Sequence, residues 1–424
     1  MFQKTVQRYA NILHIRFQPI FSALPADALN KISPNNFFRR FLKVALYTGG
    51  RLLSNLFSAA PKNEDLHGKI WLYVVSQNNY DALQFLKENL PETVFVAGQN
   101  KQIGRYNQQV NRLSLRWKLF HTLWLFFPVF IGLYKIHGRK ALRFFDLIFI
   151  SIGFYEQYLK HLKKYRPKAV VFANDHNDDS RAMLLAADTL NIPTIYIQHA
   201  SVSTAFPPLE FSLSLLEGQD ALNKYKQCGP ISGEVKFIGM PKADKFLQYR
   251  NFKPKAENIG IAGNTLDHYE GLKETLTSLT RHFPELHFTF RSHPGDTRDF
   301  TFVNELGRNA TVSDPKTETV FEFLKNQDVI IAADSSIHLE AALLNIPGIY
   351  YRFGESNFTF DYYGYVKQGL ILYAANSDTL FKALQEYKMQ RPEVYKKAAY
   401  YNATIGTETE GKSDELALKA LADL

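Results

Sequence analysis

Two polar segments, Arg291-Ser292-His293-Pro294-Gly295-Asp296 and Asp334-Ser335-Ser336-Ile337-His338-Leu339-Glu340, each follow directly on a short apolar run, 286–290 and 329–333. Short apolar runs that end in turn-forming residues read as buried strands. The second segment also opens a helical stretch, 337–344, which stops at Asn345-Ile346-Pro347 ahead of another strand, 348–351. Strand, helix and strand in that order call for a parallel sheet with helices on its faces. In such sheets the carboxyl ends of the strands form the ligand crevice. Ser335 and Ser336 would offer hydroxyls and free backbone N–H groups at a helix start, where the helix dipole favours an anion. Arg291 and His293 would add donors from the neighbouring strand end, with Pro294 turning the chain. The pattern suits a phosphate or diphosphate; its plain alternative is a helix cap beside a turn.

The same alternation runs through most of the chain. Strands are expected at 69–75, 93–97, 169–173, 194–198, 211–216 and 235–238, with helices at 79–89, 147–164 and 181–190. A second α/β series starts at 258–262. With 424 residues there is room for two domains. The expected division is a basic helical lead-in, 1–66; a first Rossmann-like domain, 67–248, carrying a basic aromatic insertion at 101–145; a second Rossmann-like domain, 258–380; and C-terminal helices, 381–424, returning to the first. Residues 239–257 read as the linker.

The densest cluster of titratable groups, Asp175, His176, Asp178 and Asp179, follows the strand expected at 169–173. A carboxylate, or a histidine oriented by one, can serve as a general base. Asp178 and Asp179 can equally cap the next helix. His199 after the strand at 194–198, and Glu217 after that at 211–216, are further strand-end candidates. Gly263 and Asn264 end the first strand of the second series, where backbone can approach a ligand. The carboxylates lack the Asp-x-Asp spacing and no His/Cys set suits zinc, so no metal is expected. Neither Gly-x-Gly-x-x-Gly nor Gly-Lys-Ser/Thr occurs, which excludes dinucleotide and P-loop sites.

The His293-Pro294 pair, followed some forty residues later by Ser335-Ser336, resembles the "HP" and "SS" motifs of bacterial sialyltransferases and polysialyltransferases, which use CMP-sugars. Capsule Kdo transferases and CDP-glycerol glycerophosphotransferases carry similar arrangements. The run from Ser335 to Pro347 is similar to the nucleotide-binding helix of two-domain (GT-B) glycosyltransferases. The resemblance covers roughly residues 165–355 and implies two Rossmann-like domains facing across a cleft. It also implies a cytidine-nucleotide sugar as donor, no other cofactor, and Glu340 holding ribose hydroxyls. The acidic pair of those families would correspond to Asp178-Asp179, here followed by Ser180 instead of glycine. Gln198-His199-Ala200 resembles the "QHG" turn of capsule transferases, with alanine in place of glycine. The implied activity is inverting transfer of a sialic acid or Kdo type sugar to a lipid-linked or cell-surface glycan. Alternatives are an enzyme of the UDP-N-acetylglucosamine 2-epimerase type, a CDP-polyol phosphotransferase, or a scaffold without activity.

Charge is unevenly placed. Residues 1–145 hold 20 Lys+Arg against 6 Asp+Glu, a net of +14 in a chain whose total is +9. A basic half attracts an anionic partner. Three apolar stripes at helical spacing decide which: Phe2, Val6, Tyr9, Leu13 and Phe17; Phe38, Phe41, Leu42, Ala45 and Leu46; and the run 119–134. Basic residues accompany each, among them Arg39, Arg40, Lys43, Arg116 and Lys118. The third run is shorter than the roughly 20 apolar residues of a spanning helix and contains Pro128. It is expected to lie in the plane of an anionic membrane surface. Nucleic acid is not expected, because none of its recognition motifs is present. A single cysteine, Cys228, suits a reducing compartment. With no uninterrupted apolar leader, a cytoplasmic protein peripheral on the bacterial inner membrane is expected.

Overall fold

The computed structural model describes residues 2–57, 65–98, 103, 109–355 and 358–422. Parts of the expected lead-in and of the 101–145 insertion lie outside the described residues. The chain divides into two compact units. The first comprises Met1–Glu217, Ala221–Ile238 and Asp414–Leu424; the second comprises Gly218–Asp220 and Gly239–Ser413.

The first unit opens with helices α1 Phe2–Ile12, α2 His14–Phe17, α3 Pro19–Ser22, α4 Ala26–Ile32 and α5 Phe37–Phe57. The sheet then begins: β1 Ile70–Tyr73, α6 Gln77–Asn89, β2 Thr93–Gly98 and β3 Asn111–Leu113. Helices α7 Lys118–His137, α8 Arg139–Arg143, α9 Phe145–Ser151 and α10 Phe154–Tyr165 follow. β4 Ala169–Phe172, α11 Asp178–Thr189, β5 Thr194–Ile197, β6 Leu213–Leu216, α12 Gln219–Cys228 and β7 Glu234–Phe237 complete the alternation. All seven strands are parallel, in the order β3-β2-β1-β4-β5-β6-β7. β4, β5 and β6 are buried along their whole length, as strands covered on both faces must be.

The helix expected over 147–164 is instead two. Gly153 sits at φ +90°, a conformation open to glycine, and a Cβ there would lie 2.6 Å from the Lys118 carbonyl. The break lets α7 cross close over the chain between α9 and α10. Most of the first stripe is core: Tyr9 and Leu13 are fully buried and Val6 and Phe17 nearly so, with Phe2 at the helix start left exposed. That removes α1 from the expected membrane face.

The second unit repeats the plan: β8 Asn258–Ala262, α13 Tyr269–His282, β9 His287–Arg291, β10 Ala310–Ser313, α14 Val320–Leu324, β11 Val329–Ala332, α15 Ile337–Leu343, β12 Gly348–Tyr351, β13 Leu372–Ala374 and α16 Ser377–Met389. Its six parallel strands run β10-β9-β8-β11-β12-β13. In both sheets the order reverses beside the first strand, between β1 and β4 and between β8 and β11. That is the switch point at which ligands bind in doubly wound folds. The expected linker is part of the second unit: the 3-10 helix Pro241–Tyr249 buries Ala243, Phe246 and Leu247 in its core. Of the segment expected to return to the first domain, Asp414–Leu424 belongs to the first unit and 381–413 to the second.

His338 shows how the motif helix is fastened. It is buried on α15, and its Nε2 lies 3.2 Å from both the Ala332 and Ala333 carbonyls at the end of β11. Burial pushes its pKa down to about 4, against about 6.5 in an unfolded chain. The unfolded state therefore binds the extra proton between those values. His338 contributes its full stability above pH 6.5 and loses it as pH falls towards 4, about 3 kcal/mol in all. Unfolding measured across this range should show a smaller acid loss in His338→Gln than in the wild type.

Candidate functional site

In the first unit the strand ends carry a connected set of polar groups. β4 delivers Asn174 and Asp175 into a tight loop, closed by the Asn177 N–H donating to Asn174 Oδ1 at 2.8 Å. Asn177 then caps α11 by accepting from the Asp179 N–H. Asp175 is only 3 % exposed, and both its oxygens are taken. Oδ2 accepts from the Tyr225 hydroxyl at 2.6 Å, with the Tyr196 hydroxyl 3.2 Å behind that; Oδ1 lies 2.9 Å from His176 Nδ1. Burial pushes the Asp175 carboxyl up, but the bonds from His176 and Tyr225 outweigh it and hold the pKa below its ordinary value. His176 is the member that reaches outward: its side chain is 36 % exposed and its ring packs on Phe206. With Nδ1–H donated to a buried carboxylate, the imidazole is held in one tautomer with Nε2 as the proton acceptor.

Asp178 and Asp179 are used differently. Asp178 accepts from Arg16 Nε at 3.1 Å and from the Ser151 hydroxyl at 2.9 Å. Asp179 accepts from the Tyr158 hydroxyl at 2.6 Å and from the Tyr73 hydroxyl, and is almost fully buried. Burial first, and then the Asp179 charge, raise the pKa of both tyrosines. The two carboxylates thus tie the first turn of α11 to α2, β1, α10 and the end of α9. His199, half-buried after β5, has Nε2 3.5 Å from Asn79 Nδ2. Asn79 also reaches the Ala173 carbonyl and accepts from the Val75 N–H, so it joins the ends of β1, β4 and β5. Glu217, buried after β6, exchanges hydrogen bonds with Gln198: its N–H donates to Oε1 at 2.9 Å and its carboxylate accepts from Nε2 at 3.3 Å.

In the second unit the ends of β8, β11 and β12 line a pocket that includes Asn264, Asp267, His268, Asp334, Arg352 and Gly354. Gly263 leaves a close approach where β8 ends: a Cβ there would meet the Phe290 ring at 3.0 Å, so the ring would have to shift. Asn264 Nδ2 donates to the Asp334 carbonyl at 3.3 Å, bridging β8 and β11 across the switch point. Asp334 accepts from the Tyr350 hydroxyl at 2.5 Å and the Tyr362 N–H at 2.8 Å, and pairs with Arg352. Ser335 Oγ accepts from the Ile337 N–H at 3.4 Å, whereas the Ser336 side chain makes no capping bond. His293 and Pro294 are exposed, and His293 Nδ1 accepts from the Gly295 N–H at 3.0 Å.

Two residues expected to reach a ligand are turned elsewhere. Arg291 is buried, and its guanidinium donates to Ser313 Oγ and the Glu318 carbonyl, both at 2.7 Å. It joins β9 to β10 because the β10 end and the following turn offer it acceptors. Glu340 is buried and ion-paired with Lys242 from the 3-10 helix.

Two pocket groups, Asp267 and Arg352, and one residue that braces the pocket loop, Arg298, escaped the sequence reading. Arg298 donates to the Asp267 and Asn264 carbonyls at 2.6 and 2.8 Å while pairing with Asp296, so it clamps the His293-Pro294 loop to the β8 loop. Asp267 accepts from the Asn264 N–H at 2.6 Å, and burial pushes its pKa up to about 7, opposed by that bond and by Arg298. Perturbed carboxyls in a cleft mark functional candidates. Asp267 lies at a turn after β8 with no motif around it, and Arg352 follows a strand as an isolated charge; only their convergence singles them out. Among the described residues no group of three or more His, Cys, Asp or Glu is placed to hold a metal ion.

Two parallel-sheet α/β units of this order make the fold GT-B-like. Among solved structures the chain is similar to the UDP-GlcNAc 2-epimerase from Neisseria meningitidis bound to UDP-GlcNAc, at 14 % identity and a TM-score of 0.50, covering 84 % of this chain and 100 % of that one. The UDP-GlcNAc 2-epimerase from Methanocaldococcus jannaschii gives 14 % identity and a TM-score of 0.52 over the same shares. A putative UDP-N-acetylglucosamine 2-epimerase from Listeria monocytogenes gives 10 % identity and a TM-score of 0.52, over 84 % of this chain and 96 % of that one. No protein-family model and no curated protein sequence matches the chain.

Proposed function

We propose that this protein is a nucleotide-sugar enzyme that transfers a glycosyl group to an acceptor hydroxyl, with His176 as the base. The observation that carries this reading is the Asp175–His176 pair at the end of β4. A buried carboxylate orients an accessible imidazole, leaving Nε2 to take a proton. As the acceptor oxygen bonds to the anomeric carbon, its proton passes to Nε2 and the nucleotide phosphate departs with the electron pair of the broken bond. The donor is assigned to the second unit, where Ser335, Ser336, His293 and Asn264 stand at strand ends suited to phosphate. The "HP" and "SS" resemblance favours a cytidine nucleotide, and a sialic acid or Kdo type sugar.

A second reading, epimerisation at the sugar C2 of a uridine nucleotide, is favoured by the fold shared with the UDP-GlcNAc 2-epimerases. Inverting a carbon centre needs a base as well, but the proton comes from carbon and no acceptor is consumed.

Nucleotide choice is tested by thermal unfolding with CMP, CDP, UDP, GDP and ADP. A ligand at about 100 times its Kd stabilises the native state by about 2.7 kcal/mol; CMP is expected to do so, and stabilisation by UDP alone would overturn the cytidine assignment. Reaction type is read from products. Acceptor-dependent release of CMP from CMP-sialic acid or CMP-Kdo is the expected result. Deuterium entering C2 of UDP-GlcNAc in D₂O without acceptor would establish epimerisation instead, and release of CMP from a CDP-polyol would establish phosphotransfer.

A further inference from the structure

Helix α5 is built the wrong way round for water. Its buried residues are Arg40 and Arg51. Arg40 donates to the Pro34 and Asn35 carbonyls, and half-buried Lys43 to the Ile32 carbonyl and to Asp146. The outward stripe is Phe38, Leu42, Leu46, Leu53 and Phe57, with Phe57 80 % exposed. The neighbouring α7 shows the same inversion at its start: Lys118 is fully buried, donating to the Tyr47 hydroxyl of α5 and to the Ile150 carbonyl. Its outward stripe is Phe120, Leu123, Trp124, Phe127, Ile131 and Tyr134, with Trp124 76 % exposed. Buried cations and exposed aromatic rings each cost free energy when the outer medium is water. With hydrocarbon outside, the exposed stripe becomes the favourable arrangement.

From this we infer that the outward faces of α5 and α7 insert into one leaflet of an anionic lipid bilayer, with both helices lying in its plane. Charge supports this occupant over a protein partner or a second copy. Arg39, Arg116, Lys135 and Arg139 are exposed around the stripes, and neither 37–57 nor 116–145 contains an Asp or Glu. Trp117, Trp124 and Tyr134 are the amphipathic aromatics that settle at headgroup depth. By length and composition α7 suffices to cross a membrane, but its inner side is committed. Val129 and Leu133 are fully buried, the Thr122 hydroxyl donates to the Ile152 carbonyl at 2.9 Å, and Gly132 lies so close to Val6 of α1 that a Cβ would come within 2.4 Å. A spanning α7 would abandon that packing, whereas an in-plane α7 keeps it.

Two of the basic residues that sequence alone suggested for lipid contact, Arg40 and Lys118, are thereby excluded, since both point inward. The inference does not rest on the reaction assigned above. Its test is flotation with phosphatidylcholine vesicles containing phosphatidylglycerol, using the full chain. Wild-type protein should float, and salt should release part of it. Gln substitution of Arg39, Arg116, Lys135 or Arg139 should lower partition about fivefold for each charge removed. The salt-resistant part should vanish in Phe38→Ser/Phe57→Ser/Trp124→Ser/Phe127→Ser, whose side chains lie outside the core. Acyl-brominated lipid should quench Trp117 and Trp124 fluorescence; Trp71, buried in the sheet, should remain unquenched in W117F/W124F. Absence of flotation at low salt would overturn the inference. So would flotation without quenching, or a stable wild-type dimer that the four-serine variant converts to monomer without any vesicle binding.

Discussion

Replacing His176 with alanine should lower turnover about 10²–10⁴-fold while donor affinity changes little, because a general base acts on the acceptor proton and not on the nucleotide. Asp175→Asn should approach the same loss by another route. An amide in place of the carboxylate no longer stabilises the imidazolium that forms when Nε2 takes the proton, and it can accept or donate towards Nδ1, so the tautomer is no longer fixed. Nucleotide affinity separates the two variants from a folding defect: it should stay close to the wild-type value in both while turnover falls. Near-normal turnover in folded His176→Ala would move the base to His199 or Glu217. Those are the other strand-end groups of the first unit.

Asp179→Ala should act on stability instead. It removes a buried carboxylate that accepts from Tyr73 and Tyr158, leaving two hydroxyls without that acceptor in the core. Each buried polar group so stranded costs about 1–3 kcal/mol, so a total of about 2–6 kcal/mol is expected. Tyr73→Phe/Tyr158→Phe with Asp179→Leu, which removes donors and acceptor together, should recover part of it. Denaturant unfolding monitors the loss, and turnover of the remaining folded fraction should be close to that of the wild type. A variant of normal stability with lost turnover would return Asp179 to the chemistry.

The alternation of strands and helices was legible because parallel strands buried on both faces must be continuous apolar runs. β8 and β12 coincide residue for residue with the stretches expected from sequence. β3, β10 and β13 were not legible. They are edge strands of three or four residues, partly exposed, and their pairing comes from the neighbouring strand more than from their own composition. The candidate site was legible only as a set of positions. That polar groups end β4, β5, β8 and β11 follows from chain order. Which of them face outward does not, since Arg291 and Glu340 found partners in the second unit and Asp178 and Asp179 in the first.

Helices α1 and α5 draw the same line most sharply. α1 and α5 carry alike stripes of large apolar residues with basic residues between them, and periodicity establishes both as one-sided helices. It reports that a face is apolar and says nothing of what covers it. Tertiary packing decided that Tyr9 and Leu13 meet the core of the first unit while Phe38 and Phe57 meet the outside. Sequence alone therefore determined the two-sheet plan and where polar groups could gather, because local periodicity and turns are properties of adjacent residues. Only the tertiary structure decided that His176 is the exposed end of a buried pair, and that α5 turns Arg40 and Arg51 inward. Those outcomes depend on partners such as Tyr225, Pro34 and Asn35, which meet them only when the chain is folded.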